Sequence, residues 1–321
     1  MRDEPMYDVV CVGSAVLDVL MKSKSFKLVP SREFAGGIAI CETYEGKMEA
    51  DEIEITSGGG GTNNAVSFAR KGLSTGIVAE LGADIAGKMV TAELLREGVD
   101  IQHLVTEEGE ETGVSVILVS AAGGRSIVTY RGASRMLTHA DFPWKTMETR
   151  WLHISSLGGR MTLWEELVRW ADKKGVRVSV NPGAEELRNR KRLWECIRGV
   201  DVLLLNREEA TQLTGDNYLD MKIYRSDACL AGPKVSVITA GKYGGKVCVD
   251  GACSFYEGSK VKKVCGVGAG DAFGSGFVAA LMLGKPTDVA TAWGRKNAES
   301  VLKNLSAKKG LLHRTSLESS S

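Results

Sequence analysis

Between residues 151 and 239 the chain alternates short apolar runs with amphipathic helical stretches, and few architectures accept that alternation. The runs 151–155, 176–180, 202–205 and 235–239 are short and almost wholly apolar, as strands buried on both faces are. Helical patterns over 162–174, 185–197 and 207–214 separate them. Strands joined in this way form a parallel sheet covered by helices on both sides, an α/β fold. The pattern starts earlier, with strands at 7–13 and 74–80 and helices over 64–72 and 86–97. Two stretches break it. Residues 33–57 and 112–132 alternate as extended chain with no helix within either stretch, and 121–124 reads as a hairpin turn. They read as a small antiparallel sheet projecting as a lid.

Composition narrows the function. Lys+Arg 41 against Asp+Glu 40 leaves a net charge of +1, which gives no footing for nucleic acid or an anionic membrane surface. Hydrophobic residues at 43% supply a sizeable core, and no apolar run approaches the ~20 residues of a membrane span. The polar, acidic start at 1–8 is unlike a secretory leader, so the expected location is cytoplasmic. Seven scattered cysteines, including Cys229, Cys248 and Cys253, contain no C-x-x-C pair and read as reduced thiols; a structural zinc site is not expected.

The chemistry concentrates in glycine-rich turns. Gly268-Ala269-Gly270-Asp271 precedes the apolar run 278–283, so a loop becomes a helix there. The first amides of a helix lack internal partners and suit an anion such as phosphate. A lone carboxylate beside that anion points to phosphoryl transfer to a hydroxyl, with Asp271 as base. Gly266, Gly268 and Gly270 alone resemble a dinucleotide fingerprint, but they stand near the C-terminus rather than after the first strand. Gly82 to Lys88 nearly matches a P-loop, yet Met89 cannot replace the required hydroxyl residue. Gly58, Gly59, Gly60 and Gly61 run into Asn63, a neutral donor and acceptor suited to sugar hydroxyls. Asp18 lies just beyond the first strand, where ligands of open α/β sheets collect. Asn206 and Glu209 follow another strand, as a capping box or as groups ordering the water shell of magnesium. Asn181 and the 239–244 stretch also stand at strand ends, while His153 and Cys248 read as packing or surface residues.

Taken in order, these elements resemble the ribokinase, or PfkB, family of carbohydrate kinases, from Gly13 to about Gly310. Residues 58–65 resemble its first signature, 206–215 its N-x-x-E segment and 267–277 its second signature. The resemblance implies a ribokinase-like three-layer α/β sandwich with a mostly parallel central sheet over 1–313. It implies lid segments within 33–57 and 112–132 that often form a dimer interface, and 314–321 is left as a polar tail. It implies an ATP- and Mg2+-dependent kinase acting on a hydroxymethyl group of a sugar or nucleoside. Carried over by position, Asp271 is the general base, Gly268 belongs to the same catalytic turn, and the amides of Ala269, Gly270 and Asp271 form the anion hole. Asp18, Gly58, Gly59 and Asn63 hold the sugar. Asn181, Asn206, Thr239, Gly241 and Gly244 border ATP, Asn297 lies near the adenine, and Glu209 serves the metal through water.

The chain departs from the pattern at two places. Cys265-Gly266 stands where the family usually has Asp-Thr, and a thiol is a poor ligand for a hard cation, which puts potassium (K+) activation in question. Gly60 stands where ribokinase usually has Lys. A nucleoside kinase, and a non-catalytic sugar or nucleotide sensor, are the competing readings.

Overall fold

The computed structural model describes residues 6–33, 37–216, 230 and 232–319; Cys229, the first five residues, part of the first lid segment (34–36) and the last two serines lie outside the described residues. The N-terminal part runs β1 (Tyr7–Val12), β2 (Val16–Ser23), β3 (Lys27–Pro30), β4 (Ile38–Cys41), β5 (Glu52–Gly58), α1 (Gly60–Ala69), β6 (Thr75–Gly82), α2 (Ile85–Arg96) and β7 (Leu104–Glu107). After the hairpin β8 (Gly113–Ser120) and β9 (Arg125–Tyr130) come β10 (Thr149–Ile154), α3 (Met161–Lys174) and β11 (Arg177–Val180). Next are α4 (Ala184–Arg188), α5 (Arg190–Ile197), β12 (Val202–Asn206), α6 (Arg207–Thr214) and β13 (Val235–Thr239). The chain closes with β14 (Gly245–Val249), β15 (Ala252–Tyr256), α7 (Ala269–Met282), α8 (Thr287–Leu302) and α9 (Arg314–Glu318).

Nine strands form the central sheet, in the order β15-β14-β13-β12-β11-β10-β1-β6-β7. From β13 to β7 the pairs are parallel, and β14 and β15 finish one edge antiparallel. Successive side chains of a strand point to opposite faces. Val10, Val12, Leu152 and Ile154 therefore join Trp164 and Leu167 of α3 in one buried cluster. Val9, Cys11, Ile77 and Val237 join Phe68, Phe277 and Trp293 of α1, α7 and α8 in the other. Each such side chain contributes about 1.5–3 kcal/mol on full burial, so the two apolar faces, more than helix propensity, hold the three layers together.

Helix boundaries follow local chemistry. Asp84 caps α2 by accepting from the Gly87 N–H at 2.7 Å. Gly175 ends α3 at φ 69°, after Lys173 and Lys174 in the last turn. Among the described residues no helix is long and apolar enough to cross a membrane.

Four strands, β5-β2-β8-β9, make a second sheet beside the first. It corrects the expected lid in two respects. The run 16–23 belongs to it as β2, so Asp18 sits on a strand rather than in a loop. The central pair β2–β8 is parallel, flanked by the antiparallel pairs β2–β5 and β8–β9. A β3–β4 ribbon stands apart from it. Residues 314–318, assigned from sequence to a polar tail, form the short helix α9, whose Leu317 is fully buried against the second cluster. The cysteines also differ from expectation: Cys248 and Cys253 face each other across the β14–β15 hairpin and are joined as a disulfide.

Candidate active site

The two glycine-rich segments converge beyond the carboxyl ends of β1 and β10. The Gly61 N–H donates to the Ser14 carbonyl at 3.0 Å, just past β1, and Gly60 packs on Ser155, just past β10. Gly59, at φ 87°, leads into α1, and Gly268, at φ 72°, leads into α7. Positive φ costs glycine little, and it lets the chain turn abruptly so that the first helical amides face outward. A Cβ on Gly268 would lie 2.3 Å from that of Ala307, so the turn is tight as well as left-handed. The amides of Ala269, Gly270 and Asp271 open α7 without a side-chain cap, which leaves them available to an anion.

Asp271 lies in that first turn. Asn63 of α1 donates its Nδ2 to Asp271 Oδ2 at 2.8 Å, so the two segments meet at the carboxylate. The Asn63 Oδ1 accepts from Lys308 Nζ at 2.9 Å. Lys308 also donates to Thr62 Oγ1 at 2.9 Å and to the Ser57 carbonyl, and it is 2% exposed. Burial raises the Asp271 pKa, while Asn63 and Lys308 oppose the rise. Burial likewise lowers Lys308 to about 8, although Glu93, Asp18 and Asp271 favour its charge. Sequence reasoning missed Lys308. Its neighbours Ser306, Ala307, Lys309 and Gly310 read as a polar turn, and its role comes from tertiary contact alone.

Asp18 projects from β2 against Gly58; a Cβ there would lie 2.1 Å from the Asp18 carboxyl carbon. The carboxylate is buried, and burial pushes it up to about 6 against the pull of Lys308 and Ser115. The structure thus brings Asp18, Gly58, Gly59, Asn63 and Asp271 into one place.

The expected nucleotide residues divide between two hollows. Thr239, Gly241 and Gly244 line a cavity of about 420 Å³ that reaches Ala269 and Gly270. Asn181, Asn206, Glu209 and Thr239 line an adjoining cleft of about 50 Å³ that also reaches Gly270. Asn206 and Glu209 form the capping box of α6, with reciprocal bonds of 2.9 and 2.8 Å. Burial pushes Glu209 up to about 7, with Asp271 adding to the rise. Asn297 is a correction. It is fully buried, donating to the Ala272 carbonyl at 2.7 Å and accepting from the Leu312 N–H at 2.9 Å. That face of α8 packs on α7, and its neighbours Arg295, Ala298 and Glu299 line the cavity instead.

Comparison with known proteins agrees with this geometry. A family model described as pfkB family carbohydrate kinase matches residues 6–312. A ribokinase of Haemophilus influenzae is 29% identical over 256 residues, covering 78% of this chain and 82% of that protein. A fructokinase of Escherichia coli is 29% identical over 247 residues, covering 70% and 76%. The crystal structure of a Methanocaldococcus jannaschii nucleoside kinase, an archaeal member of the ribokinase family, has the same fold, with TM-score 0.75 at 20% identity over 98% of both chains. A family match spanning both glycine-rich segments, on a fold that joins them at one carboxylate, places the chain in the pfkB family of carbohydrate kinases.

Proposed function

We propose that this kinase transfers the γ-phosphoryl group of ATP to a hydroxymethyl group of a small sugar, with Asp271 as general base. The hydrogen bond from Asn63 to Asp271 carries the reading, because it joins the sugar-side segment to the anion-binding turn. The 420 Å³ cavity is of the size that holds a nucleotide, and its glycines let backbone approach the ligand. Magnesium, when bound, supplies charge neutralisation on the transferring group. Glu209, Asn206 and Asn181 are the oxygen-bearing groups that suit its water shell.

The chain's own residues do the rest. Asn63 engages Oδ2 of Asp271, and the neighbouring Asn64 also favours its charged form, so the carboxylate is held ready to take the hydroxyl proton. The amides of Ala269, Gly270 and Asp271 receive the developing charge, and positioning and electrostatics supply most of the acceleration. Asp18 accepts from vicinal hydroxyls of the sugar. The second sheet shields the site from water, which limits wasteful ATP hydrolysis. The face opposite Asp18 exposes Ile53, Ile55 and Val128, and a second copy of the chain is the occupant we assign there.

Cys265 is 1% exposed within an apolar cluster of Leu20, Ile117, Val119 and Leu305. A soft thiol so placed does not ligate a hard cation, so turnover is expected without potassium. ADP release from ATP and magnesium should be measured against pentoses, hexoses and nucleosides, with and without potassium. Turnover on a free sugar supports the proposal. A steep preference for nucleosides selects a nucleoside kinase instead, and a strong potassium requirement contradicts the role given to Cys265.

A further inference from the structure

We propose that Arg125 and Lys263 clamp the terminal phosphates of the bound nucleoside triphosphate, with Arg125 supplied by the second sheet. The inference rests on the nucleotide-site reading above. A Cβ placed on Gly266 would lie 3.0 Å from Nη1 of Arg125 and 3.1 Å from Nζ of Lys263, so both cationic head groups converge on one point. That point is in the wall of the 420 Å³ cavity, which Ala269 and Gly270 also line. Among the described residues neither side chain forms a salt bridge. The cavity also carries Glu257 and Glu299, and Glu299 is engaged by Arg295 at 3.9 Å. Two like charges brought together repel, and an anion between them turns that repulsion into attraction. A polyphosphate lying on the first amides of α7 is the anion that fits both the charges and the turn.

The supporting segments touch one another. A Cβ on Gly123, in the β8–β9 turn, would lie 2.9 Å from the Lys263 carbonyl oxygen and 3.1 Å from that of Val264. The hairpin that carries Arg125 therefore rests on the segment that carries Lys263 and leads to the anion hole. Phosphate held by both would tie the second sheet to α7. Gly266 suits this arrangement. The Thr expected there from the family resemblance would push both flexible head groups aside, so the departure at 266 leaves room for them to meet.

The test is calorimetric binding of ATP with magnesium, and of adenosine, to the full chain and to Arg125→Ala, Lys263→Ala and Arg125→Lys. Each alanine variant should weaken ATP binding about tenfold or more, the usual scale for a charge-assisted bond, and leave adenosine within about twofold. Arg125→Lys should recover part of the loss. ATP, but not adenosine, should slow hydrogen exchange across residues 119–125 of the wild-type chain. Alanine variants that bind ATP normally, or that lose ATP and adenosine alike, would overturn the clamp. A wild-type chain that binds adenosine but gains nothing from the phosphates would also overturn it. Failure to bind either ligand would remove the nucleotide-site reading itself, and the clamp with it.

Discussion

The Asn63 amide has its oxygen committed to Lys308 and its nitrogen to Asp271. Flipping that amide would set two donors against each other at Lys308, so the buried ammonium fixes which end faces the carboxylate. Lys308 also lowers the Asp271 pKa through its charge. Lys308→Met should therefore move the acid limb of the pH–rate profile upward by about one unit or more, the usual effect of losing a nearby opposite charge. In the wild-type chain Lys308 loses its own charge above about 8, and turnover should fall again there. Unchanged limbs in the variant would leave Lys308 a purely structural residue. Gly60 has a related explanation at this scale. A Cβ there would lie 2.8 Å from the Ser155 side chain, so the usual Lys has no room. Asp18, Asn63 and Asp271 are legible in the sequence because short motifs carry them. Ser155 and Lys308 are not, because each acts only across the fold.

At the scale of elements, the start of α7 is the piece on which the site depends. Gly268→Ala would place a side chain at φ 72° and against Ala307. We expect a strain of about 1–3 kcal/mol, read as a lower thermal midpoint. Displacing the anion hole by about 1 Å should also lower turnover by about 10²-fold. Normal kinetics in that variant would separate the turn from catalysis. The strand–helix alternation makes the central sheet readable from sequence, since period and burial agree along 151–239. It does not reveal β2. The run Val16–Ser23 follows β1 so closely that it reads as the loop beyond a strand, and only pairing with β5 and β8 makes it one. Asn297, placed near the adenine by the resemblance alone, lies on the inward face of α8, which position in the sequence does not reveal.

Across the whole molecule, buried charge makes stability depend on pH. Glu80 is 2% exposed, and its Oε2 has no hydrogen-bond partner among the described residues. Burial pushes its pKa up to about 8, with Asp141 and Glu107 adding to the rise and Arg160 opposing it. A carboxyl whose pKa is raised on folding contributes stability below its unfolded value and loses it as pH climbs to the folded one. The window here runs from 4.5 to about 8. Glu80→Gln should gain on the wild-type chain steadily through that window, measured as the difference in thermal midpoint. A difference independent of pH would show that Glu80 does not titrate on folding.

The most direct measurement compares ADP release by the wild-type chain and Asp271→Asn, with ATP, magnesium and the best acceptor sugar. Asp271 as general base predicts turnover lower by about 10²-fold or more in the variant. Near-normal turnover, with the sugar still phosphorylated, would remove Asp271 from that role and contradict the account.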